Sequence, residues 1–209
     1  MGAKRTRGQR AGLSRERVLE AALGLVERDG LGALTMRRLA AELGIEAMSV
    51  YHYVPNKDAL LDGLVERVVE RAVEALPAGA TWQETLREYA MALRRTLLAH
   101  PEVVPLLAVR PALTARTMAT VEATLDTLRE AGFSPARGLR MIHAITGLAI
   151  GEAAVNAGAG SDPLGPNAVD AGSFPLLAAA VQEGAADLNG RFDFALSALL
   201  SGFAGAAEG

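Results

Sequence analysis

From residue 14 onward the apolar residues of this chain recur three and four apart, and glycine or proline interrupts the pattern at short intervals. Val18, Ala21, Ala22, Leu25 and Val26 form one stripe, and Met36, Leu39, Ala40 and Leu43 a second. Leu60, Leu61, Leu64 and Val68, with Ala72, form a third. Such a stripe lies on one face of a helix; a strand needs a period of two. Composition points the same way. Half of the 209 residues are apolar, yet only 4 % are aromatic, and Ala, Leu and Val supply most of the apolar share. Ala and Leu are strong helix formers, whereas strand-favouring residues are sparse. An all-α fold follows.

The punctuation divides the helices. Ser14 is a good N-cap, and Gly30 stops the first helix. Thr35 caps a short second helix, Met36 to Leu43, which Gly44 ends. A third runs from about Ala47 to Tyr53 and is closed by Pro55, because the residue before proline avoids helical angles. Asn56 caps a long fourth helix to about Leu76, and Pro77-Ala78-Gly79 breaks the chain. Further helices are expected from Thr81 to His100, Thr114 to Ala131, Pro135 to Asn156, Phe174 to Leu188 and Phe192 to Ala207. Pro105 and Pro111 cut the intervening stretch into short pieces, and the Gly-, Pro- and Asp-rich 157–173 segment reads as a loop.

Charge is distributed unevenly. Residues 1–60 hold ten bases and seven acids, a balance of +3, so the overall −3 leaves −6 for the remainder. A basic head on an acidic body suits a polyanion at one end of the chain, or alternatively a merely solvated charged head. The organisation expected is a basic arm at 1–12, a three-helix head at 13–58 and a helical body at 59–209.

The most informative stretch runs from Thr35 to Tyr53. It reads as two short helices around a tight Gly-containing turn, with Leu39, Ala40, Leu43, Ile45 and Val50 as a small shared core. That is helix-turn-helix geometry, whose second helix enters a DNA major groove; the alternative is an ordinary helical hairpin with surface polar residues. Ser49, Tyr51, His52 and Tyr53 lie on the exposed face, Lys57 starts the next helix, and Arg37 suits bidentate reading of guanine.

Leu39-Ala40, Leu43-Gly44-Ile45, Tyr51, Tyr53-Val54, Asn56-Lys57 and Ala59-Leu60-Leu61-Asp62 resemble the head of the tetracycline-repressor (TetR) family. Thr81-Trp82-Gln83-Glu84, Leu97-Leu98-Ala99-His100, Arg110-Pro111 and Ala131-Gly132-Phe133-Ser134 are similar to the family's ligand-binding body. The resemblance implies a DNA-binding domain at 13–58 and a ligand-binding and dimerisation domain at 59–209, in a homodimer joined by the Pro135–Asn156 helix and the last helix, packed as a four-helix bundle. It also implies repression of a palindromic duplex operator, released by a small-molecule effector. The DNA contacts it implies are Thr35, Met36, Arg37, Ala47, Met48, Ser49, Tyr51, Tyr53 and Lys57, with His52 beside them. Ala47 replaces an amide base-reader, Met48 a proline and Tyr53 a histidine, so the operator sequence does not carry over.

The body departs further. Leu106-Leu107-Ala108-Val109 stands where the resemblance places a metal-holding histidine, and Val73 where it places a second drug-contacting one. Tyr89 replaces an asparagine and Leu93 an aromatic residue. The pocket expected is apolar and metal-free, lined by Val73, Tyr89, Leu93, Leu106, Leu107 and Val109. Tyr89 is its polar handle. His143 is a second candidate handle or, alternatively, a structural or dimer-interface histidine. Trp82 reads as a packing residue.

Other classes fit less well. Cysteine is absent, which excludes a disulfide framework and a thiolate site, and a cytoplasmic location is expected. Glu152 follows His143 by nine residues, so no zinc-enzyme spacing is formed, and neither a nucleophile elbow nor a phosphate loop is present. No run of apolar residues is long enough for a membrane span. No enzymatic activity, cofactor or membrane partner is therefore expected. A helical adaptor without ligand-controlled DNA binding is the alternative.

Overall fold

The computed structural model describes residues 13–74, 81–110, 112–158, 169–185 and 187–205. The arm at 1–12, the break at 77–79, Pro111 and most of the expected 157–173 loop lie outside them. The described residues form ten α-helices and no strand. By its internal packing the chain divides into two compact units, Met1–Arg67 and Val68–Gly209.

The first unit contains α1 (Arg15–Asp29), α2 (Met36–Glu42), α3 (Ala47–Val50) and the first turns of α4 (Lys57–Glu74). Ser14 caps α1 by accepting from the Arg17 N–H, and Thr35 caps α2 by accepting from the Arg38 N–H. Val18, Ala22, Leu23, Leu25 and Val26 turn the apolar face of α1 inward. Gly44 makes the tight turn after α2 with φ +64°, a value at which a side chain would be strained. The Ile45 N–H then bonds back to the Ala40 carbonyl.

Helix α3 is shorter than its pattern predicts. It ends at Val50, and Tyr51, His52 and Tyr53 form a tightened turn. There the His52 and Tyr53 N–H groups reach back only three residues, to Ser49 and Val50. Pro55 disfavours helical angles at Val54, so this turn does not run on into α4. Asn56 Oδ1 then accepts from the Ala59 N–H and opens α4. Helix α4 crosses α1 closely at Gly63, where an added Cβ would lie 2.6 Å from the Leu19 side chain. Arg15–Glu66 at 2.8 Å and Arg67–Glu20 at 2.7 Å flank that crossing.

The second unit is built around α8 (Pro135–Gly158), against which α5 (Trp82–Ala99), α6 (Val104–Leu107), α7 (Ala115–Glu130) and α10 (Leu188–Gly205) pack. Met141, Ile142, Ile145, Ala149 and Ala153 of α8 are buried at helical spacing. Thr81 and Glu84 form a reciprocal capping box at the start of α5. Trp82 meets Phe133 edge-on at 5.1 Å, which fixes it as a packing residue. Arg94 lies over the Phe192 ring at 4.8 Å and donates to Asn189, tying α5 to α10.

The last two helices depart from expectation. Helix α9 is Pro175–Gln182 and stops six residues early at a turn through Glu183 and Gly184, while α10 starts four residues early, at Leu188. Asp187 accounts for the earlier start, because its carboxylate accepts from the Asn189 and Gly190 N–H groups as an N-cap does. Among the described residues no helix is long and apolar enough to cross a membrane.

Candidate functional site

Two sites emerge, one in each unit. In the first unit, Leu39, Ala40, Val50 and Val54 are essentially inaccessible to solvent and hold α2 against α3. Burying the far faces of these short helices turns the opposite faces out. Met48 is 72 % exposed and Tyr51 42 %, with Arg37, His52 and Lys57 exposed and Ala47, Ser49 and Tyr53 half-buried. Met36 is half-buried, and the exposed Thr35 spends its oxygen on the α2 cap.

The bases around α2 divide by partner. Arg28 pairs with Glu42 at 2.9 Å, and Arg38 with Asp29 at 2.7 Å. These exposed pairs contribute little stability, but they orient α1 against α2 and occupy two guanidinium groups. Arg37 and Lys57 form no ion pair among the described residues, so their charge faces solvent beside the tip of α3. Two cations, hydroxyls, an imidazole and one bare thioether on a protruding surface can meet phosphates and base edges together.

In the second unit a cavity of about 260 Å³ lies among α4, α5, α7 and α8. Its walls are mostly aliphatic, including Val69, Val73, Leu93, Leu107, Ile142 and Ile150. Five hydroxyls also line it, from Tyr89, Thr117, Thr120, Thr124 and Thr146, together with His143 and Arg110. Among the lining residues there is no carboxylate. Tyr89 Oη lies 2.9 Å from Thr146 Oγ1, which lies 2.8 Å from the Ile142 carbonyl. A carbonyl can only accept, so the one hydrogen of Thr146 goes to Ile142 and Tyr89 donates to Thr146. Burial raises the Tyr89 hydroxyl above its ordinary pKa of 10.0, and the Thr146 contact only partly opposes this. Tyr89 therefore remains a protonated donor.

Of the pocket residues named from sequence, Val73, Tyr89, Leu93, Leu107 and His143 line this cavity. Leu106 and Val109 do not. Helix α6 is a single turn, so neighbouring residues diverge: Leu106 is 8 % exposed and faces the core, while Val109 is 75 % exposed beyond the helix end. The sequence reading also missed the threonines. Thr117, Thr120 and Thr124 stand at i, i+3 and i+7 on α7, a stripe that was open to view but polar, and so was not read as cavity lining.

Comparison with known proteins places both units. Residues 18–64 match the description "Bacterial regulatory proteins, tetR family", and residues 76–206 match "Tetracyclin repressor-like, C-terminal domain". The class D tetracycline repressor of Escherichia coli is 41 % identical over 144 residues, 68 % of this chain. That match spans 65 % of the repressor's own length. The class E repressor of Escherichia coli is 32 % identical and is matched over 92 % of both chains. Among solved structures, apo ActR of Streptomyces coelicolor aligns with a TM-score of 0.81 at 29 % identity, covering 95 % of this chain and 98 % of ActR. ActR has also been crystallised with actinorhodin. These relatives carry the names of regulators and repressors rather than enzymes. The chain belongs to the tetR family of bacterial regulatory proteins.

Proposed function

We propose that this protein is a transcriptional repressor that binds a near-palindromic duplex operator as a homodimer and releases it when a small, largely apolar molecule fills the α4–α5–α7–α8 cavity. One observation carries the reading. Helix α4 is continuous from Lys57, its first residue on the exposed head surface, to Val69 and Val73, which line the cavity. A molecule pressed against Val73 acts on the same helix that begins at Lys57, the proposed phosphate contact. A ligand shifts such an equilibrium only by binding one state better than the other, and a cavity wall made from the connecting helix supplies that difference.

The homodimer is supported by the exposed faces of α8 and α10. Small residues Gly147, Gly151 and Ala154 stand there with the half-exposed Val155, and Phe194 is 78 % exposed. Such a surface suits close helix packing against a second copy. In the head, Arg37 is assigned to a guanine edge, Met48 to a thymine methyl, and Lys57 to phosphate.

The test is fluorescence anisotropy on duplex fragments from the regions flanking the protein's own coding sequence. Hydrophobic compounds are titrated into the complex with and without EDTA. Release that is equal in both arms is expected, since the cavity lining holds one histidine and no carboxylate. Release abolished by EDTA would overturn the metal-free pocket. Leu93→Trp should occupy the cavity, retain DNA binding and lose the response, with circular dichroism confirming the helices. An absence of any sequence-selective DNA binding would leave a helical adaptor as the better description.

A further inference from the structure

The hydrogen-bonding state of the cavity wall specifies the chemistry of what fills it. A hydroxyl has one hydrogen to give and two lone pairs to receive. On α7, Thr120 gives its hydrogen to the Arg116 carbonyl at 3.2 Å and Thr124 to the Thr120 carbonyl at 2.9 Å. Thr117 donates to the Ala112 carbonyl and accepts from the Thr114 N–H, so it is already occupied in both roles. Thr146 donates to Ile142 and Tyr89 to Thr146. Every lining hydroxyl hydrogen is thus committed inside the protein, while the oxygens of Thr120, Thr124 and Tyr89 keep accepting capacity. Thr120 and Thr124 are one turn apart on the same helix face, about 6 Å along the axis. The lining groups that carry other hydrogens are His143 and Arg110.

Resting on the reading of this cavity as the effector site, we propose that the effector is an apolar ring system bearing hydroxyl or N–H donors, of the polyphenol class, which donates to Thr120, Thr124 and Tyr89. A carboxylate or phosphate turned toward α7 would set lone pairs against lone pairs. To donate to such a group, a threonine would have to give up its present bond. A methyl ether keeps the ring and the oxygens of a phenol but carries a methyl group in place of each donor hydrogen, so it leaves the row unanswered.

Calorimetric titration of the full-length protein with 1,5-naphthalenediol, 1,5-dimethoxynaphthalene and naphthalene-1-carboxylate tests this. The diol should bind at least tenfold more tightly than either of the others. The double variant Thr120→Val/Thr124→Val keeps the side-chain shape and removes both acceptors, and should reduce the preference for the diol at least threefold. The corresponding double serine variant, which restores the oxygens, should retain it. Equal binding of ether and diol by the native protein, or an undiminished preference in the valine variant, overturns the donor assignment and leaves the cavity reading standing. Probe binding that survives Leu93→Trp, or no binding of any probe to the native protein, overturns the cavity reading itself.

Discussion

At the scale of single residues, position rather than type decides which bases of the head face solvent. Arg28, Arg37 and Arg38 are the same residue type, but two of them face carboxylates across α1 and α2 while Arg37 faces solvent. Arg37→Ala should cost roughly 1–3 kcal/mol of operator affinity and relax preference at one base pair, as loss of a bidentate base contact does. Lys57→Ala should weaken all duplexes about equally and lower the salt slope by about one unit. Binding isotherms at several salt concentrations on operator variants separate the two, and a uniform loss in both mutants would reassign Arg37 to phosphate. Tyr89 carries a different signature. Its raised pKa means that the unfolded chain loses the phenolic proton near the ordinary 10.0 while the folded protein retains it. The stability this represents is complete below about pH 10 and is lost as pH rises through the folded-state value. Tyr89→Phe should therefore flatten the alkaline fall in urea midpoint. Losing the bond to Thr146 should also lower stability at neutral pH by about 1 kcal/mol. An alkaline slope identical to that of the native protein would show that Tyr89 is solvated.

At the scale of elements, two glycines in helix interiors make opposite predictions. Gly63 of α4 has no room for a Cβ: Leu19 Cδ2 would stand 2.6 Å away, and Leu19 is itself buried. Gly63→Val should overpack the α1–α4 crossing and destabilise the head by roughly 1–3 kcal/mol. Gly24 of α1 meets only the end of Arg28, at 3.9 Å, so Gly24→Ala should gain about 0.5–1 kcal/mol from helix propensity. Denaturant midpoints check both, and a tolerated Gly63→Val would mean that Leu19 can swing clear. The same elements explain what the sequence made legible. Ser14, Thr35 and Thr81 announce their helices because cap chemistry is local, and Gly44 announces the head's turn for the same reason. The border between α9 and α10 was not legible in this way. Ala178 to Glu183 continue a helical pattern, and the stop depends on Gly184 and on Asp187 capping the next helix. The cavity was half legible: an apolar position names its face, but whether Leu106 or Leu107 faces the void depends on the direction of a four-residue helix.

At the scale of the whole molecule, the head is too small to act alone. Its exposed surface comes from a four-residue α3 and a few flanking side chains, the scale of a single small module, and such modules bury about 600–1,000 Å² against about 1,000–2,500 Å² for a whole specific protein–DNA interface. In the proposed homodimer a second head adds the missing affinity, because its contact is effectively intramolecular. Avidity of that kind depends on geometry. Two heads related by a two-fold axis fit half-sites whose centres repeat with the duplex, about 34–36 Å apart. Inserting five base pairs at the operator centre rotates one half-site by about half a turn and presents it on the opposite face of the duplex, so affinity should fall toward that of a single half-site. Inserting ten restores the face but lengthens the separation by about 34 Å, which a rigid dimer cannot span, so affinity should stay low. A flexible pair of heads would instead recover on the ten-base-pair insert. Sedimentation of the protein at micromolar concentration should give a dimer. A monomer that binds the unmodified operator at full affinity would require recognition far beyond what this head exposes, and would remove the basis for switching by head spacing.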